Sequence, residues 1–120
     1  MIVDERALVA AVRELAAEKP DFVYEAPGRG ECKYVHRTPE GHLVGGCIVG
    51  QAALKVGMPI EVLAELDDSE EPQVEFSFRQ FELGALALRW LHQVQFKQDL
   101  GERWGSAVLA ADRVVGDPFA

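Results

Sequence analysis

One stretch narrows what this chain can fold into more than any other: Gly45-Gly-Cys-Ile-Val-Gly-Gln-Ala-Ala-Leu-Lys-Val-Gly-Met-Pro59. Before it, polar and apolar side chains alternate. After it, apolar residues recur at helical spacing. A chain that changes period across two glycines passes from sheet to helix at that point. The helix predicted here runs over about 47–56, with Ile48, Val49, Ala52 and Val56 on its buried side. Gly57 suits the left-handed cap that ends it. Pro59 suits the first position of a further short helix, with Val62, Leu63 and Leu66 inward.

The segment upstream reads as a β-hairpin. Residues 31–37 and 42–45 are strand-like, and Thr38-Pro-Glu-Gly41 lies between them. Proline favours the first central position of a type I turn, and glycine the left-handed position after it. In that register Thr38 faces His42, Arg37 faces Leu43, His36 faces Val44 and Lys33 faces Cys47. Alternation then places Cys32, Tyr34, His36, His42 and Val44 on one face, with Val35, Leu43 and Cys47 on the other. Residues 22–26, Phe-Val-Tyr-Glu-Ala, read as another strand, and Pro27-Gly-Arg-Gly30 as a turn.

Helices are predicted on both sides of the hairpin. Asp4 caps a first helix over 5–18, with Leu8, Val12, Leu15 and Ala16 as its apolar stripe. Residues 67–72 form an acidic connector. Ser77 and Gln80 match a capping box, opening a long helix over 77–98. Phe81, Leu83, Leu86, Leu88, Leu91 and Val94 cover most of its circumference, as in a helix central to a bundle or at a subunit interface. Gly101 breaks the chain. Leu100, Trp104, Ala107, Val108, Ala111 and Val115 form the stripe of a final helix. The fold class is therefore α+β: an N-terminal helix, a small antiparallel sheet with a β-hairpin, and a helical C-terminal half. With 120 residues, 48% of them hydrophobic, residues 1–120 are expected to form a single domain with its own core.

The net charge of −8 argues against gripping a phosphate backbone, which needs clustered Lys and Arg. No apolar run matches a membrane span, and the N-terminus lacks the layout of a secretion signal. A cytoplasmic protein with free thiols is expected, without a cofactor.

Three chemical readings compete with a packing role. Cys32, His36, His42 and Cys47 are four zinc-ligand types spaced C-x3-H-x5-H-x4-C. The predicted register, however, turns Cys47 away from the other three, and the spacing lacks a tight C-x2-C knuckle. Cys47 at a helix N-terminus, with His36 or His42 as base, has the residue types of a thiol enzyme or redox protein. The glycines before it, the Ile-Val after it and a register that puts both histidines across the sheet favour instead a small buried residue at a packing joint. Residues 47–67 have the outline of a helix-turn-helix, but the would-be recognition helix presents Glu61, Glu65, Asp67 and Asp68 and has no Lys or Arg. The acidic connector lacks the ligand order of an EF-hand, and Pro27–Gly30 is not a phosphate loop. Trp90 and Trp104 read as core anchors.

Two segments carry a resemblance. Cys47, Ile48, Val49, Gly50 and Ala52 form Cys-Ile-Val-Gly-x-Ala, and Gln98, Asp99, Gly101, Trp104 and Ala107 form Gln-Asp-x-Gly-x-x-Trp-x-x-Ala. Together they resemble small hypothetical proteins of actinobacteria and their bacteriophages. The resemblance implies that kind of origin and brings no activity with it. The function expected is that of a small acidic, non-enzymatic protein-interaction or regulatory protein, phage-encoded and directed at a host protein. The 77–98 helix offers a surface for a protein partner or a homodimer. Nucleic acid and membrane are not expected partners.

Overall fold

The computed structural model describes residues 3–25, 33–70 and 72–119. It has the α+β architecture read from the sequence: helix α1 (Glu5–Glu18), a two-stranded antiparallel sheet of β1 (Val35–Arg37) and β2 (Leu43–Gly45), and a helical C-terminal half. The last comprises α2 (Ile48–Lys55), α3 (Ile60–Asp67), α4 (Val74–Ser77), a 3-10 turn over Phe78–Phe81, α5 (Ala85–Asp99) and α6 (Trp104–Val114).

Helix α1 forms as its pattern dictates. The Asp4 carboxylate accepts from the Arg6 and Ala7 N–H groups, which have no partner inside the helix. Leu8, Val12, Leu15 and Ala16 are buried, joined by Val9 and Ala11. The hairpin register is the predicted one, with Val35 opposite Gly45, His36 opposite Val44 and Arg37 opposite Leu43. Thr38 N donates to His42 O at 2.7 Å, and Gly41 takes φ +88°, a conformation that costs glycine little. Beyond the strands the pairing continues, and Cys47 N donates to Lys33 O at 2.9 Å.

Five expectations need correction; one is Leu100, which is the exposed C-cap of α5 and lies outside the last helix whose stripe it was expected to join. Residues 22–25 form no strand. Instead Trp104 N donates to Phe22 O and Gly105 N to Pro20 O, both at 2.9 Å, so this segment caps the start of α6. The Phe22 ring also packs on Trp104, with centroids 4.5 Å apart. The strand predicted over 31–37 is shorter among the described residues, because Asp67 takes the Tyr34 and Val35 N–H groups that a neighbouring strand would use. Asp67 is thus no solvated connector; it closes α3 onto β1. Last, residues 77–98 are not one helix but the end of α4, the 3-10 turn over Phe78–Phe81 and most of α5. Glu82 adopts a left-handed φ of 60°, Gly84 is the N-cap of α5, and Gly84 N donates to Glu5 Oε2 at 2.6 Å. Ser77 does not cap that helix; its hydroxyl donates to Pro72 O and meets the Tyr34 hydroxyl. The turn predicted at 27–30 lies outside the described residues.

The core lies between α1, α2, α5 and α6, and Trp90 and Trp104 are its largest fully buried side chains. Arg13 from α1 makes two hydrogen bonds to Asp112 of α6, at 3.0 and 2.8 Å. Trp90 Nε1 of α5 donates to the same carboxylate at 2.9 Å, and the Arg13 guanidinium lies 4.8 Å from the Trp90 ring centroid. One carboxylate thereby ties three helices together. No helix among the described residues is long and apolar enough to cross a membrane.

Candidate functional site

The joint at Gly45–Gly50 is built by close backbone approach. A Cβ on Gly46 would lie 2.3 Å from Lys33 O, and one on Gly50 would lie 2.1 Å from Tyr34 O. Only glycine lets β1 and α2 meet at this separation. Cys47 is the N-cap of α2 without a side-chain capping bond, and it is fully buried. The buried Gln98 side chain does the capping: its Oε1 accepts from Ile48 N at 2.8 Å, and its Nε2 donates to Asp99 at 2.8 Å. The two resembling segments, fifty positions apart, therefore meet through a hydrogen bond.

This environment decides what the thiol can do. Burial pushes the Cys47 pKa up to about 12, opposed only in part by the Gly50 N–H and the Gln95 side chain. A nucleophilic cysteine needs the reverse shift. His36 is engaged elsewhere: its Nε2 is bonded to the Tyr24 hydroxyl, and the two rings stack with centroids 5.8 Å apart. Burial lowers the His36 pKa, which favours the neutral ring. His42 is exposed beside the hairpin turn. The structure thus places His36 close over Gly46 but does not join it to the thiol. Of the four zinc-type residues, Cys32 lies outside the described residues, and no metal-holding group of His, Cys, Asp or Glu occurs among those described.

Helices α2 and α3 do meet through a tight turn, with Gly57 at φ +95° as the sequence predicts. The exposed side of α3 carries Glu61, Glu65 and Asp68. The Asp67 carboxylate binds Tyr34 N at 2.9 Å and Val35 N at 3.1 Å, so the end of α3 is anchored to the sheet. A negative, anchored helix is poorly suited to a phosphate-lined groove.

The outer side of α5 is different. Leu86, Phe96 and Leu100 are 48%, 47% and 63% exposed, and Arg89 is exposed among them. With Gln93, they follow steps of three and four residues along the helix, the spacing of a coiled-coil seam. The opposite side buries Ala87, Trp90, Leu91, Val94, Gln95 and Gln98. The helix therefore buries one side in the core and leaves three apolar side chains, Leu86, Phe96 and Leu100, facing solvent with Arg89 and Gln93 between them. The full wrap read from the sequence came partly from Phe81 and Leu83, which belong to the turn before α5 and pack inward. Gln98 was the signal that sequence reasoning passed over: a polar residue four positions after Val94 and seven after Leu91, on the stripe that should be apolar.

The chain matches no protein-family model, no curated protein and no solved structure.

Proposed function

We propose that this is a small non-enzymatic interaction or regulatory protein, which works by docking a protein on the outer face of α5. In this reading it is phage-encoded and acts on a protein of an actinobacterial host, in line with the two resembling segments. The observation that carries the docking role is the solvent-facing row of Leu86, Phe96 and Leu100. Scattered apolar residues on a surface are ordinary, but these three share one side of one helix and, with Arg89 and Gln93 between them, occupy the positions of a coiled-coil seam. The buried thiol and the negative α3 favour this reading over a cysteine enzyme or a DNA reader.

The test is a paired capture from actinobacterial lysate. Wild-type bait and a Leu86→Glu/Leu100→Glu bait are compared side by side, with circular dichroism to verify that both are folded. A protein held by the wild type and lost by the variant supports the reading. Equal retention by both baits removes α5 as the docking face.

A further inference from the structure

This inference rests on the docking reading above and concerns what covers the same α5 face while no host protein is bound there. We propose that the α5 face seats a second copy of the same chain, packed antiparallel about a two-fold axis at Gln93.

The outer stripe is nearly palindromic. Leu86 and Leu100 are equidistant from Gln93, and Arg89 and Phe96 flank it on either side. In a two-fold dimer the same patch serves both subunits, so residue i meets j and j meets i. Antiparallel pairing about Gln93 sets Leu86 against the partner's Leu100. Arg89, four residues before the axis, falls level with the partner's Lys97 and one residue from the partner's Phe96, close enough to lay the cation on that ring, and does so twice. The two Gln93 amides meet at the axis, where each can both donate and accept. No other register pairs leucine with leucine at both ends.

Charge points to the same face. Each chain carries −8, so two copies repel over most of their surfaces. Between Ala85 and Asp99 the charged residues are Arg89, Lys97 and Asp99. Lys97 is paired with Glu102 at 3.6 Å, which limits its repulsion of the partner's Arg89. Two acidic chains that approach through α5 therefore meet along a helix whose one carboxylate is Asp99. One helix pair of about 21 Å, at 1.5 Å rise per residue, is a small interface, so the dimer forms as concentration rises.

Sedimentation equilibrium from low micromolar to millimolar protein tests the proposal. The expected result is a mass that climbs from 13.2 kDa toward twice that value. Leu86→Glu/Leu100→Glu should hold the lower mass throughout, whereas Leu109→Glu, on α6, should dimerise like the wild type. Oxidative cross-linking in a Cys32→Ser background tests the register. Gln93→Cys should form a disulfide dimer. Leu86→Cys alone should not, but Leu86→Cys mixed with Leu100→Cys should. A monomer at every concentration overturns the proposal, as does a dimer that survives the double glutamate variant, or one cross-linked by Leu86→Cys alone. A strict monomer that still captures a protein through α5 overturns this inference while leaving the docking reading in place.

Discussion

Gln98 Oε1 accepts a hydrogen bond from the Ile48 N–H at 2.8 Å, with both residues fully buried. The side chain of one helix thus caps another and holds the Cys47 joint against α5. The bond accounts for Gln98, one of two glutamines on the buried side of α5 with Gln95, since a buried N–H at a helix start needs an acceptor.

Replacing that acceptor should be costly. Gln98→Leu keeps the volume roughly constant but strands the Ile48 N–H, a loss of about 1–3 kcal/mol. Urea unfolding should show a lower midpoint at unchanged slope. A midpoint equal to the wild type would mean that the amide has another acceptor.

Gly50→Ala should be worse, although alanine is the better helix former by about 1 kcal/mol. Its Cβ would lie 2.1 Å from Tyr34 O, and that oxygen belongs to backbone that cannot rotate aside. A loss of about 3 kcal/mol is expected from overpacking. Thermal unfolding checks it; a gain in stability would show that β1 can withdraw from α2.

Cys47 should resist alkylation in the native protein. Burial pushes its pKa up to about 12, and the residue has no exposed surface. Peptide mapping after timed iodoacetamide treatment should show Cys47 labelled only at the rate of unfolding. Rapid labelling that increases through neutral pH would instead support thiol chemistry.

Asp112 gives an acid-dependent term in stability. Its pKa is held below the ordinary 3.8, chiefly by hydrogen bonds from Arg13, with Trp90 adding to them and burial opposing. A carboxylate with a lowered native pKa stabilises the fold above its unfolded value, and that contribution is lost as pH falls through the native one. Both side chains of the pair are about one-third exposed, at 38% and 33%, so solvent screening limits the contribution to about 1 kcal/mol. The stability gap between wild type and Asp112→Asn should be full near neutrality and close below the carboxylate range. A gap independent of pH would contradict the assignment. Asp67 works in the opposite sense: burial raises its pKa despite the Tyr34 and Val35 N–H groups, so its ionisation lowers stability as pH rises.

Elements set by local rules were legible in the sequence. Asp4 as a cap, the alternation around Thr38–Gly41 and the glycine at 57 all act within a few residues, and each led to the observed geometry. The errors came where distant partners decide. Phe22 has the composition of a strand residue, yet its carbonyl is bound by Trp104, eighty-two positions later. Asp67 lies in an acidic run and differs from its neighbours only in reaching Tyr34 and Val35. The segment 77–98 has an apolar pattern interrupted only by Gly84, its one local sign of a break, and the bond from Gly84 to Glu5 that fixes the break spans seventy-nine positions. The same break hid the candidate site. With Phe81 and Leu83 counted as helix, the apolar surface looks continuous; with them removed, Leu86, Phe96 and Leu100 stand apart on the solvent side.

The central claim is that this solvent-facing side of α5 is covered when the protein works. Hydroxyl-radical footprinting, read residue by residue in dilute and in associated protein, tests it most directly. Phe96 and Leu100 should lose most of their oxidation on association, while Leu109, 57% exposed on α6, should keep its own. Unchanged oxidation of Phe96 and Leu100, with protection appearing at Leu109 or Val114, would contradict it.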